Sequence, residues 1–99
     1  MNANGTAASP AAWTFLSNHG HVLVCIVRDP NVRVREIAQS VGVTERAVQR
    51  ILRELEEASV IVRTRQGRRT HYEINERLPL RHPIEAHHSV GELLRAVRS

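Results

Sequence analysis

The sequence predicts a mainly α-helical domain carrying one small β-hairpin. Three observations predict it: two short amphipathic periods parted by Gly42 and Thr44, an apolar run stopped at Asp29-Pro30, and two alternating runs joined through Gln66-Gly67-Arg68. At 99 residues one compact domain is expected, too small for a catalytic domain with a separate regulatory module.

Taken in order, residues 1–9 are small and polar and read as a disordered arm. Ser9-Pro10 has the form of a helix start and would place Trp13, Phe15 and Leu16 on a short amphipathic piece. A second start falls at Ser17 or Asn18. The run Val22 to Val27 that follows is ambiguous by periodicity, with the β-branched content of a buried strand but the position of a helix between a cap and a proline stop. The helix is preferred because of what comes next. Val34, Ile37, Ala38 and Val41 recur three and four apart, Gly42 closes that helix, and Thr44 caps another. The second helix of the pair lines up Ala47, Val48, Ile51, Leu55 and Ala58, with Leu52 at the margin, and runs to about Ser59; its other face is Arg46, Gln49, Arg50, Arg53 and Glu57.

Val60 to Arg65 and Arg69 to Ile74 alternate at period two and predict a hairpin with a basic tip. Pro79 and Pro83 mark an extended connector. Ser89 and Glu92 have the spacing of a capping box and open a last helix through Leu93, Leu94 and Val97. That segment, residues 77–99, is a candidate dimerisation element beside a main unit at 10–76. Trp13, Phe15 and Leu16 are expected to pack with Leu93, Leu94 and Val97, within one protomer or across a dimer.

All 14 basic residues are arginine, and the formal net charge is +4. A coding bias explains much of that preference, yet planar guanidinium forks also suit phosphates and guanine edges, so the surface fits a polyanion. Cys25 is the single cysteine and lies among Val24 and Ile26, which excludes an intrachain disulfide and favours an inert packed thiol. The first nine residues lack a basic stretch followed by an apolar run, and no apolar stretch exceeds six residues. The expectation is a cytoplasmic protein without membrane contact. No Ser-His-Asp order, phosphate-cradling glycine loop or metalloprotease motif occurs, so no catalytic residues, cofactor or metal ligands are assigned.

The stretch Val34 to Ala58, with Ile37, Ala38, Val41 and Gly42 leading into Thr44, Ala47, Val48, Ile51 and Leu55, resembles the core of winged helix-turn-helix transcriptional regulators, a broad group that includes the MarR-like and ArsR-like repressors. The resemblance extends over about residues 15 to 75 and implies that the second helix of the pair is a recognition helix and the hairpin a wing. It implies a winged helix-turn-helix acting on double-stranded DNA, here with extra N- and C-terminal segments; a chain this short often gains burial by dimerising, so a homodimer is expected. The sequence departs from the group at Ser59, where glycine is common; only glycine enters the left-handed region without a steric penalty, which leaves the angle between helix and wing less defined.

Helix chemistry agrees with that resemblance, because an apolar back with an Arg/Gln front suits a major groove, and residues near the N-terminus of such a helix reach base edges. Glu45, Arg46, Gln49 and Arg50 are therefore the base-reading candidates, matched to the cytosine amino group, guanine and adenine by their donors and acceptors. Thr44 and Arg53 are candidates for phosphate, and Arg63, Arg65, Arg68 and Arg69 for backbone or minor-groove contact by the wing. Occlusion of a promoter needs no activation domain, so repression is the expected sign.

Bland readings stand beside these. Arg50 with Glu54 and Arg53 with Glu57 are also (i, i+4) pairs that stabilise a solvated helix, though in the weaker orientation. A winged helix can serve as a protein-interaction module that never meets DNA. His82, Glu85, His87 and His88 admit a metal-responsive repressor of ArsR type, although Pro83 interrupts them. An effector is compatible with the sequence but not specified by it.

Overall fold

The computed structural model describes residues 12–98, so the polar arm and the Ser9-Pro10 start lie outside the described residues. Four helices and one antiparallel hairpin follow in order: α1 (Asn18–Arg28), α2 (Val34–Val41), α3 (Glu45–Glu57), β1 (Ile61–Gln66), β2 (Arg69–Ile74) and α4 (Val90–Val97).

Helix α1 starts where Ser17 Oγ accepts from the Gly20 N–H and ends at Asp29 before Pro30. It buries Val22, Leu23 and Ile26, while Val24, Cys25 and Val27 are partly covered. The run is ambiguous by periodicity because this helix is apolar on most sides. It packs against α2, α3, α4 and β2, and a helix surrounded in that way carries no wide polar stripe.

The turn between α2 and α3 follows the sequence closely. Gly42 takes φ 86°, and Thr44 Oγ1 accepts from the Ala47 N–H at 3.0 Å. Glu36 reaches back to the Arg33 N–H at 3.1 Å, closing the first turn of α2. The core joins Ile37 and Ala38 of α2 to Val48, Ile51, Leu52 and Leu55 of α3, then to Val60, Ile61, Tyr72, Val90 and Leu94. Leu52, read as marginal, is fully buried. Truncating a fully buried side chain such as Ile51 costs about 2–5 kcal/mol.

Helix α3 ends in a complete Schellman closure. Ser59 N–H donates to Glu56 O and Val60 N–H to Leu55 O, with Ser59 itself at φ 65°, the one positive φ of a non-glycine among the described residues. The hairpin then pairs Ile61 with Ile74 through Gln66 with Arg69, across a two-residue turn whose first member, Gly67, has φ 63°. Tyr72 N–H donates to Pro30 O at 2.8 Å, which ties β2 to the loop between α1 and α2.

Two expectations are corrected. The connector is not extended: Leu80 N–H donates to His88 O and Val90 N–H to Leu78 O, so the chain doubles back around a turn in which Glu85 N–H meets His82 O. Pro83 occupies the second position of that turn, where its fixed φ is favourable, and Leu78 and Leu80 pack on the core. Residues 12–17 are not helical, and Trp13 and Phe15 are exposed instead of packing on α4 within the chain. Leu94 has its own place in the core against α1, which leaves the two rings to meet each other edge to face at 4.9 Å. The capping box of α4 forms as read, with Ser89 and Glu92 exchanging bonds.

Candidate nucleic-acid interface

Burying Val48, Ile51, Leu52 and Leu55 forces the other side of α3 outward. Arg46, Gln49, Arg50 and Arg53 are all exposed and line one shallow depression with Thr44 and Ala47. Glu45 is exposed in the first turn, where a carboxylate complements the helix dipole. Among the described residues, Arg46, Gln49 and Arg53 make no side-chain hydrogen bond or ion pair, whereas Arg50 lies 3.4 Å from Glu54. The bland pairing of Arg53 with Glu57 does not form.

The four wing arginines do different things. Arg63 sits half-buried at the base, with Nε and Nη2 on Glu56 Oε1. Burial raises the phenol of its strand partner Tyr72 above the usual tyrosine range, with Arg63 pulling the other way. Arg65 Nε donates to Gly67 O at 3.0 Å and so braces the tip. Arg69 Nη2 donates to Asn31 O at 2.8 Å across to the α1–α2 loop, where His71 also meets the Asn31 side chain at 3.1 Å. Arg68, on the turn, makes no side-chain contact of this kind among the described residues. The tip therefore offers Arg65 and Arg68, while Arg63 and Arg69 hold the wing in place.

Sequence reasoning missed Arg33. It stands at the N-cap of α2 and, with Arg68 and Arg69, borders a groove between wing and helix pair that Asn31, Val32, Val34, Thr70 and Tyr72 complete. Its position immediately before an amphipathic period was the available signal. Glu54 takes up Arg50 as the (i, i+4) spacing predicts, whereas Glu56 as the partner of Arg63 and His19 as a second partner of Glu54 were missed.

The third helix of this three-helix unit turns an arginine face outward and leads directly into a hairpin. Residues 17–62 match the family described as winged helix-turn-helix DNA-binding. The chain carries a winged helix-turn-helix domain. The matched span takes in α1, the helix pair and the first residues of the wing. None of the curated proteins compared with the chain matches it.

Beyond that winged helix-turn-helix, α4 returns to α1 and shares its core. Cys25 is partly covered, and burial pushes its thiol up, against a smaller opposing effect of Arg28. Among the described residues, no three His, Cys, Asp or Glu side chains come close enough to hold a metal ion. The rings of His87 and His88 lie 4.3 Å apart, tilted by 52°, and His88 pairs with Glu92. No described helix is long and apolar enough to cross a membrane.

Proposed function

We propose that the chain is a sequence-specific regulator of transcription that binds double-stranded DNA as a homodimer and represses by occupying the promoter. Helix α3 enters the major groove. Arg46 and Arg50 address guanine, Gln49 adenine, and Glu45 a cytosine amino group. The Thr44 hydroxyl, which accepts from the Ala47 N–H, keeps its own proton to donate to a phosphate oxygen, and Arg53 takes the next phosphate along. Arg65 and Arg68 follow the backbone or enter an adjacent minor groove.

The observation that carries this reading is the α3 face itself. Arg46, Gln49 and Arg53 are exposed in one row with no partner among the described residues, and Arg46 and Arg50 are like charges one turn apart. Such a row is mildly unfavourable in water and is relieved by a polyanion. The role is binding, not catalysis.

The test is selection from a random duplex library, followed by titration of enriched and scrambled duplexes at several salt concentrations. An enriched inverted repeat, lost with Arg46→Ala or Arg50→Ala, is the expected result. No enrichment and no binding at low salt would overturn the reading in favour of a protein-interaction module.

A further inference from the structure

Among the described residues, Arg50 is the one base-reading candidate whose charged group is already engaged. Its Nη1 lies 3.4 Å from both carboxylate oxygens of Glu54, one turn further along α3. Glu54 has a second claimant on another helix, for His19 Nε2 of α1 stands 2.7 Å from Glu54 Oε1. A single carboxylate thus joins the outward face of α3 to the body of the domain.

Resting on the reading of α3 as a recognition helix, we infer that Glu54 is a positioning residue for Arg50, and that a proton on His19 loosens its hold. With His19 neutral, the imidazole N–H donates one hydrogen bond and the full negative charge of Glu54 still acts on Arg50. An imidazolium neutralises that charge. The guanidinium is then free to leave its rotamer and settle on any nearby phosphate, so affinity for DNA in general rises while discrimination at the base Arg50 reads falls.

Glu54 is held below the usual carboxylate range, first by the His19 hydrogen bond and then by the charge of Arg50, and so stays ionised near neutrality. The cleft beside the pair is bordered by Glu57 of α3 and by Arg81 beyond the wing, with Leu55, Ala58 and Val60 as its apolar floor. Neither Glu nor Arg ordinarily changes charge between pH 5 and 8, whereas imidazole does. Both contacts are solvent-exposed, so the effect is modest, about two- to threefold in discrimination.

The experiment compares the selected duplex with one altered at the base pair whose preference disappears in Arg50→Ala, for wild type, Glu54→Gln and His19→Gln, at pH 7.5 and 5.8 and constant salt. Wild type is expected to lose about two- to threefold of its discrimination on acidification. Glu54→Gln should show that loss already at pH 7.5 and no further change, and His19→Gln should keep its discrimination at both values. His21 and His71 are common to all three proteins, so any contribution of theirs cancels. Equal pH profiles for wild type and His19→Gln, or full discrimination by Glu54→Gln, would overturn the inference. An Arg50→Ala protein that reads the selected duplex unchanged would instead overturn the recognition-helix assignment.

Discussion

Arg63 donates through Nε and Nη2 to a single oxygen of Glu56, at 3.2 and 2.9 Å, fastening the base of the wing to the last turn of α3. Its stem lies beside the buried Tyr72, its cross-strand partner. The guanidinium therefore serves the joint between helix and wing. Arg63→Ala is expected to lower stability by about 0.5–1 kcal/mol in urea denaturation, the loss of one partly exposed pair and some packing.

Arg68 behaves oppositely. It stands on the turn with no side-chain partner among the described residues, so Arg68→Ala should leave the urea midpoint unchanged. The slope of log affinity against log salt should fall by about one, the signature of a single phosphate contact. The same slope should be unchanged in Arg63→Ala, and a drop there of similar size would mean that Arg63 reaches the backbone.

Ser59 holds φ 65° because the Schellman closure needs a left-handed residue where the helix gives way to the wing. Ser59→Gly removes the Cβ conflict and should raise stability by about 0.5–1 kcal/mol, seen as a thermal midpoint a few degrees higher by circular dichroism. Ser59→Ala, which keeps the Cβ, should give no such gain.

Gly91 is required for closeness instead of a special φ. A methyl group there would lie 2.8 Å from Cβ of Glu76 and 3.0 Å from the carbonyl oxygen that accepts the Gly91 N–H. The clash costs about 1–3 kcal/mol and outweighs the roughly 1 kcal/mol by which alanine favours a helix. Gly91→Ala should therefore lower the melting temperature, whereas a helix free to shift would show a rise.

The carboxyl of Glu92 is held below the usual carboxylate range, chiefly by the Ser89 backbone N–H and then by His88. A carboxylate whose folded pKa is depressed stabilises above its unfolded value and loses that contribution as pH falls through the folded one. Wild type and Glu92→Gln should differ in melting temperature at neutral pH and converge below about pH 4. A difference that persists in acid would show that the charge of Glu92 contributes nothing.

What could be read in advance was local. Gly42, Thr44, and Ser89 with Glu92 act within three or four residues of themselves, so their roles stand in the row. The apolar spacing of α3 was equally plain, since burial of one face leaves the other exposed. In the row, Arg63 and Arg69 look like wing contacts because they are basic and near a turn. Their partners, Glu56 and Asn31, are 7 and 38 residues away, and only the fold brings them together. The reversal around Pro83 likewise depends on Leu78 and Leu80 finding the core. Within the chain, the helix that would cover Trp13 and Phe15 has its apolar face on α1.

Trp13 is the only tryptophan and is 68% exposed beside Phe15. Its indole thus has a watery environment in the native chain as well as in the unfolded one, so intrinsic fluorescence will follow melting poorly and the far-ultraviolet signal must be used instead. The same emission becomes a local reporter of contact. A blue shift on raising protein concentration would put a second copy over the two rings, and one on adding duplex would put DNA there.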